Sequence, residues 1–262
     1  MLSYLHFMRI FRITTLTLLS LLLFGFSPIP ALASKINVPT NFLVLNTGLV
    51  GWWTFDGKDT PWTSATAATT LDKSGNGNTG TLTNMAQATS PTIGKIGQGL
   101  KFDGGDDYII VNSNPISSYA SPSSVCAWVN PADLSPSGGT YRTVLNFSAD
   151  ANNYLRIAVQ SSGNLTIAYT AGGTSYGQGA IGSPIKINLW KYVCSVFDGS
   201  ALSVYINGVS EADLADSASN GSVNRIGVLG GIGFWSGLID DVRVYNRALS
   251  VDEIIQLYNL GR

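Results

Sequence analysis

Between residues 49 and 245 the chain is a succession of short apolar-rich stretches cut by turn residues, and this rhythm limits the fold more than any other feature. Residues 50–55, 99–102, 108–111, 124–130, 142–147, 154–160, 165–170, 190–197, 202–206, 225–229 and 237–245 read as strands. Turn formers separate nearly all of them, among them Gly104-Gly105, Ser162-Gly163-Asn164, Asp198-Gly199-Ser200 and Asn207-Gly208. About eleven strands cannot lie in one flat sheet and stay covered, so two packed antiparallel sheets are expected. Charged residues make up only 12% of the chain while glycine occurs 29 times, a balance that suits strands and tight turns. The fold class is therefore read as an all-β sandwich.

Two local signals sharpen this outline. Asn207-Gly208 tolerates positive φ and predicts a hairpin from 202–206 into a brief return strand at Val209. Ser250-Val251-Asp252-Glu253 reads as a capping box, and Ile254, Ile255, Leu257 and Tyr258 follow at helical spacing, so one short C-terminal helix is expected against the sandwich.

The N-terminus reads as an export signal. Arg9 and Arg12 precede an apolar run from Ile13 to Phe26, and Ala31-Leu32-Ala33 has the small residues of a cleavage site. The run of about 14 residues falls short of the roughly 20 needed to cross a bilayer. Residues 1–33 are thus expected to be a signal peptide, 34–48 a tether or irregular first segment, and 49–262 a single domain. With the signal gone, Lys+Arg falls from 15 to 13 against 16 Asp+Glu, a net charge of −3, and nothing basic remains to hold nucleic acid. His6, the one histidine, leaves too. That removes any imidazole base, any histidine-based triad and any histidine-ligated zinc. The expected location is secreted or extracytoplasmic, where two cysteines, Cys126 and Cys194, read as one disulfide more readily than as two free thiols.

Several segments resemble the laminin-G-like, concanavalin A-like jelly-roll family over residues 49–258. They include Gly51-Trp52-Trp53-Thr54-Phe55-Asp56, the Gly/Asn-rich segment 72–80, and Leu100-Lys101-Phe102-Asp103-Gly104-Gly105-Asp106-Asp107-Tyr108-Ile109. Further on come Ala127-Trp128-Val129, Leu202-Ser203-Val204-Tyr205-Ile206-Asn207-Gly208 and Gly237-Leu238-Ile239-Asp240-Asp241-Val242-Arg243-Val244-Tyr245-Asn246-Arg247-Ala248-Leu249-Ser250. The resemblance implies a two-sheet jelly roll and no single activity, because the fold carries lectins, adhesion modules and glycosidases alike. Pentraxins, a branch of the same fold, imply a bridge between Cys126 and Cys194 that ties neighbouring strands. Alternation within 124–130 puts Cys126 and Trp128 on one face and Val125, Ala127 and Val129 on the other.

Catalysis finds little support. Retaining glycosidases need two carboxyls about 5 Å apart, whereas the chain has only two glutamates, Glu211 in a loop and Glu253 in the helix. Acidic clusters at Asp103, Asp106 and Asp107 and at Asp240 and Asp241, with Asp56 at the end of the first strand, offer hard oxygens suited to Ca²⁺. Jelly-roll relatives that bind calcium imply a structural ion joining Asp56, Asp107 and Asp240; the competing reading is Asp in ordinary turns. Segment 72–80 lacks the alternating acids of an EF-hand and reads as a turn. Trp52 and Trp53 should face opposite ways, and Trp128 and Trp190 read as core. Trp62, set among Pro, Thr and Ser, is the candidate sugar-stacking platform, with Tyr141 and Tyr176 behind it. The expected function is a secreted, non-catalytic module that binds a glycan or an extracellular protein. A structural or adhesive surface protein and a glycoside hydrolase are the alternatives.

Overall fold

The computed structural model describes residues 45–262 except 136, 137, 139, 180–183 and 212–222. The expected signal peptide and residues 34–44 of the expected tether lie outside the described residues. In chain order the first strands are β1 (Leu49–Trp53), β2 (Trp62–Ser64), β3 (Ala67–Thr70), β4 (Gly80–Thr83), β5 (Pro91–Ile93), β6 (Gln98–Asp103) and β7 (Tyr108–Val111). The long central strands are β8 (Ser123–Pro131), β9 (Tyr141–Asp150), β10 (Asn153–Gln160) and β11 (Leu165–Ala171). Then come β12 (Thr174–Ser175), β13 (Gln178–Gly179), β14 (Lys191–Phe197), β15 (Leu202–Ile206), β16 (Val209–Ser210), β17 (Arg225–Ile226) and β18 (Ser236–Tyr245), followed by helix α1 (Val251–Leu260).

These strands form two antiparallel sheets. The first runs β16-β15-β14-β8-β18-β6-β5 with β1 also paired to β18, and the second runs β12-β11-β10-β9-β17-β7-β4-β3-β2 with β13 on β11. Consecutive strands pair as hairpins at the edges, such as β14-β15-β16 and β9-β10-β11-β12, while the centres join strands far apart in sequence, β14-β8-β18-β6 and β9-β17-β7, as a sandwich jelly roll requires. All eleven expected strands are present, although 225–229 is a strand only at Arg225 and Ile226. The stretches that alternation did not reveal, β2 to β5, are short and rich in Thr, Ala, Gly and Pro, and Pro91 sits on an edge strand where its missing N–H costs nothing.

Alternation decides the core. Val125, Ala127 and Val129 of β8 meet Leu155, Ile157 and Val159 of β10 and Leu165, Ile167 and Tyr169 of β11 between the sheets, together with Trp53, Phe102, Phe147 and Trp235. The other face of β8 carries Cys126 and Trp128, and it is not exposed either. There Tyr192, Cys194, Tyr205 and Tyr245 form a second apolar layer with Ile254 and Leu257 of α1 and with Leu45 and Leu49. The first sheet is thus dry on both sides, and its central strands β8 and β18 read as almost continuous buried runs.

The helix is fixed as its cap predicted. Ser250 Oγ accepts the Glu253 N–H, and a Glu253 carboxylate oxygen accepts the Ser250 N–H. Arg247 donates two hydrogen bonds to the same carboxylate, which holds the Glu253 pKa down at about 2. At the hairpin, Asn207 and Gly208 both have positive φ, 54° and 81°, and Asn207 Oδ1 accepts the Tyr192 N–H to lock the turn onto β14.

Cys126 and Cys194 are bonded to each other. They face directly across the β8–β14 ladder with Cα atoms 4.1 Å apart, inside the layer under α1. The bridge spans 68 residues, and in the chain-entropy model a loop of that length restricts the unfolded chain by about 4 kcal/mol. Cys126→Ala/Cys194→Ala should therefore unfold at a lower denaturant concentration than the native chain, with a somewhat steeper slope because the uncrosslinked denatured chain exposes more surface. Equal midpoints in matched guanidinium titrations would show that the crosslink adds no stability.

Candidate functional site

Where the two sheets part at one edge, a cavity of about 380 Å³ opens, lined by Phe55, Gly57, Thr60, Trp62, Gln87, Pro91 and Leu100. That volume is within the range of small-ligand clefts, about 300–1,000 Å³. One wall belongs to the second sheet. Trp62 opens β2, opposite Ala68 of β3, and is half-buried against the inter-sheet core. The other wall belongs to the first sheet, where Pro91 of β5 stands opposite Leu100 of β6.

Short polar bonds set the shape of this cavity. The Gln98 side-chain oxygen accepts the Gly57 N–H at 2.8 Å, and Asp56 Oδ1 accepts the Gln98 N–H at 2.8 Å, so the strip after β1 is stitched to the start of β6. Gly97, with φ of 66°, lies directly against the Asp56 carboxylate, where a Cβ would collide. The Gln87 N–H is bonded to the Ala65 carbonyl, which anchors the far lip to the β2–β3 hairpin. Thr60 offers a hydroxyl, shared with Thr70 at 3.4 Å, and Gln87 offers an amide whose side-chain atoms make no hydrogen bond among the described residues. None of the lining residues carries a charge, and none is a nucleophile paired with a base.

Trp62 is the one expected site residue found in the cavity; of its companions, Phe55 and Leu100 end or lie in strands read as core, while Gly57, Thr60, Gln87 and Pro91 come from segments without hydrophobic period. Tyr141 and Tyr176 are elsewhere: the Arg156 guanidinium lies 4.9 Å from the Tyr141 ring, and Tyr176 packs on Tyr169 and Phe197. Trp53 is fully buried and donates to the Asn78 carbonyl, whereas Trp52 is half-buried and donates to Asp241. Trp128 is core as expected, but the core of the layer under α1, and Trp190 is half-buried beside that layer.

The structure does not bring Asp56, Asp107 and Asp240 together. Asp56 and Asp240 both serve the β5–β6 turn, Asp240 Oδ2 accepting the Lys95 and Ile96 N–H groups at 2.7 and 2.8 Å. Asp107 lies at the opposite end of β6, where its Oδ2 accepts the Asp103 N–H. Six strand residues separate these ends, so one ion cannot reach all three. Asp103, Asp106 and Asp107 instead each place a carboxylate oxygen within 4.8 Å of the others, an arrangement able to hold a cation. Asp103 Oδ1 already accepts from Gly105, Asp106 and Asp107, and its pKa is held below the usual range although burial acts to raise it. Burial and the two neighbouring carboxylates push Asp107 up to about 6. Segment 72–80 is a turn as read: Asp72 accepts the N–H groups of Trp52, Ser74 and Asn78, and the Asn78 amide donates to the Val50 carbonyl.

Residues 103–255 match the family described as the concanavalin A-like lectin/glucanases superfamily. The chain belongs to that superfamily. Solved structures with the same fold include domain 4 of AbnA, a GH43 extracellular arabinanase from Geobacillus stearothermophilus, in complex with arabinotriose. It is 24% identical with a TM-score of 0.59, over 82% of this chain and 98% of that domain. The binding domain of Paraclostridial Mosquitocidal Protein 1 is 18% identical with a TM-score of 0.58, over 82% of this chain and 52% of its own. The botulinum neurotoxin serotype D binding domain is 18% identical with a TM-score of 0.57, over 84% and 52%. The superfamily member described here therefore spans about half the length of those toxin domains. At these identities the likeness establishes the fold. No curated protein matches the chain.

Asp240 supplies a test of this geometry. It is fully buried, one of its oxygens has no hydrogen-bond partner among the described residues, and burial, reinforced by Asp241, pushes its pKa up to about 7. An acid raised in the folded state favours folding below its unfolded pKa of 3.8, and that contribution is lost as pH rises towards about 7. Asp240→Asn keeps an oxygen for the Lys95 and Ile96 amides and cannot ionise. Its melting midpoint should fall less than the native one between pH 4.5 and 7; parallel profiles would show that this carboxyl does not titrate in that window.

Proposed function

We propose that this chain is a secreted, non-catalytic glycan-binding module and that the Trp62 cavity is its sugar site. The carrying observation is the cavity itself: an indole face with an amide and a hydroxyl beside it, and no charge in the lining. Such a surface suits a neutral pyranose or furanose, whose C–H face stacks on the aromatic ring while its hydroxyls take the polar groups. That the arabinanase domain of the same fold was solved with arabinotriose, and that several other relatives are binding domains, supports the reading.

A hydrolase is less well supported, since no carboxylate lines the cavity. The carboxylates best placed by the fold have structural partners: Glu253 pairs with Arg247, Asp241 with Arg243 and Asp59 with Lys73. The disulfide accords with export, and among the described residues no helix is long and apolar enough to cross a membrane. A protein partner at the same edge, or an adhesive role without a small ligand, is the competing reading.

Calorimetric titration with neutral arabino- and gluco-oligosaccharides tests the sugar site. Trp62→Ala should weaken binding by about tenfold or more while the circular dichroism of the fold is retained. Binding untouched by the substitution would remove Trp62 from the site, and no binding across a broad glycan array would favour the adhesive reading.

Calcium is assigned by the same reading to the free carboxylate oxygens of Asp103, Asp106 and Asp107, which suit a hard cation that takes oxygen ligands. A bound cation would offset the burial and the neighbouring carboxylates that raise Asp107, so added Ca²⁺ should raise the melting midpoint more at pH 7 than at pH 5. A midpoint unchanged by calcium or chelator at pH 7 would leave these three acids as a turn.

A further inference from the structure

Asp240 is a buried acid beneath the hairpin that forms one wall of the Trp62 cavity. β5 and β6 set Pro91 and Leu100, both in the lining, directly opposite each other. The turn between these strands is drawn onto one Asp240 oxygen by the Lys95 and Ile96 N–H groups, and it closes on itself where the Gly94 N–H meets the Gly97 carbonyl at 3.1 Å. The fit is close. A Cβ on Gly94 would lie 2.5 Å from Asp240 Oδ2, and one on Gly99 3.3 Å from the Asp240 Cβ, so the turn rests directly on this side chain. The strand leaving the turn begins at Gln98, whose N–H is held by Asp56 and whose side chain holds Gly57 of the lining. Gly57, Pro91 and Leu100 therefore take their places from a turn seated on one carboxyl.

The charges around that carboxyl decide what its ionisation does. On β18 its neighbours Asp241 and Arg243 are paired with each other at 3.0 Å. From the turn, the Lys95 ammonium lies 5.1 Å from the Trp128 ring, and β8 meets Asp240 with Trp128 itself. β1 adds Trp52, bonded to Asp241, and the strip after it adds Asp56 and Lys58, 4.0 Å apart. β6 adds Lys101, exposed and opposite Leu238. β14 adds the Tyr192 phenol, held neutral by burial, and at the end of α1 Arg262 lies over Tyr258. Among the described residues no cation pairs with Asp240.

A neutral carboxyl can accept both turn amides on one oxygen and leaves no charge in the core. An ionised one, fully buried beside the Asp241 carboxylate and without a cation of its own, is relieved by admitting water. The turn is the element lying against Oδ2, so it is the turn that must lift. Burial and Asp241 push the Asp240 pKa up to about 7, which puts this change near neutral pH. The one histidine, His6, lies in the expected signal peptide, and Asp107, raised to about 6, stands at the other end of β6 from the turn.

We propose that the β5–β6 turn is a pH-sensitive latch on the cavity: with Asp240 protonated the turn is seated and the cavity holds its sugar, and with Asp240 ionised the turn lifts and the sugar is released. The inference rests on the reading of the cavity as a sugar site, but the movement of the turn can be seen without a sugar. Because binding favours the protonated state, affinity is full below a pH of about 7 and is lost as pH rises through it, by at most about tenfold per unit for one proton.

The test is calorimetric titration of the purified protein with neutral arabino- and gluco-oligosaccharides at pH 5.5 and 8.5. The backbone amide NMR signals of Gly57 and Gln98 are followed over the same range without sugar. Native affinity should fall by about tenfold between the two pH values, and both signals should move with a midpoint near 7. Asp240→Asn, which keeps an oxygen for the turn amides and cannot ionise, should hold one affinity and show neither movement. Gln98→Ala should leave the Lys95 and Ile96 signals titrating while Gly57 no longer follows them. Equal native affinity at both pH values, a Gly57 signal that stays fixed, or the native pH profile retained in Asp240→Asn would overturn the latch. Should Asp240→Asn fail to fold, the native Gly57 signal decides. Absence of sugar binding at both pH values would overturn the sugar reading and the release of sugar together, while a titrating Gly57 would still establish the moving turn.

Discussion

A carboxylate–guanidinium pair inside β18 holds the first sheet in its working shape. Asp241 and Arg243 are 2% and 5% exposed and meet at 3.0 Å, with the Asp241 backbone in the left-handed region at φ of 46°. The β18–β8 register slips between Asp240 and Arg243, so the strand bulges where the two acids stand. Burying such a pair is costly unless the remaining bonding positions are filled. Trp52 offsets part of that cost: its indole donates to Asp241 at 2.7 Å, and the Arg243 guanidinium lies 4.3 Å from its ring. The pair thereby fastens β1 to β18 through side chains as well as through the backbone ladder.

The bulge has a consequence some distance away. By turning Asp240 toward the β5–β6 turn, it lets one buried carboxylate gather the Lys95 and Ile96 amides, and the same turn offers the Gln98 amide to Asp56. Gln98 in turn holds Gly57, which lines the cavity. A chain of single hydrogen bonds therefore runs from the core of the first sheet to one wall of the Trp62 cavity. The opposite wall, on β2 and β3, hangs from the edge of the other sheet. The cavity is shaped by how the two edges are held, and no element is dedicated to it.

This explains what could be read in the sequence and what could not. Strands such as β8, β10 and β11 were legible because one side of each must be apolar, and the two faces of β8 were assigned correctly from alternation alone. The capping box and the Asn207-Gly208 hairpin were legible because their chemistry is local. Trp62 stood out only as an aromatic in a polar loop, while Gln87, Thr60 and Gly57 carry no signal until the sheet edges meet. The acids show the same limit: their composition suggested a shared ion, but Asp56 and Asp240 are spent on amides at one end of β6 and Asp107 sits at the other. Spacing along a chain does not report which end of a strand a side chain serves.

The character of the cavity and of the two outward sheet faces follows from their places in the sandwich. The cavity lies at an open edge, where apolar core residues such as Phe55 and Leu100 reach the rim and leave a neutral lining. The outward positions of β9, β10 and β11 carry threonines, an asparagine and an arginine that are nonetheless buried. On the first sheet the equivalent outward face is filled by Trp128, Tyr192 and the disulfide beneath α1. One sheet has thus been sealed for stability by the helix and the crosslink. That reinforcement gives the fold margin to carry buried polar atoms without hydrogen-bond partners among the described residues, such as Tyr192 Oη and Ser195 Oγ on the first sheet and the Thr166 and Thr170 hydroxyls on the second.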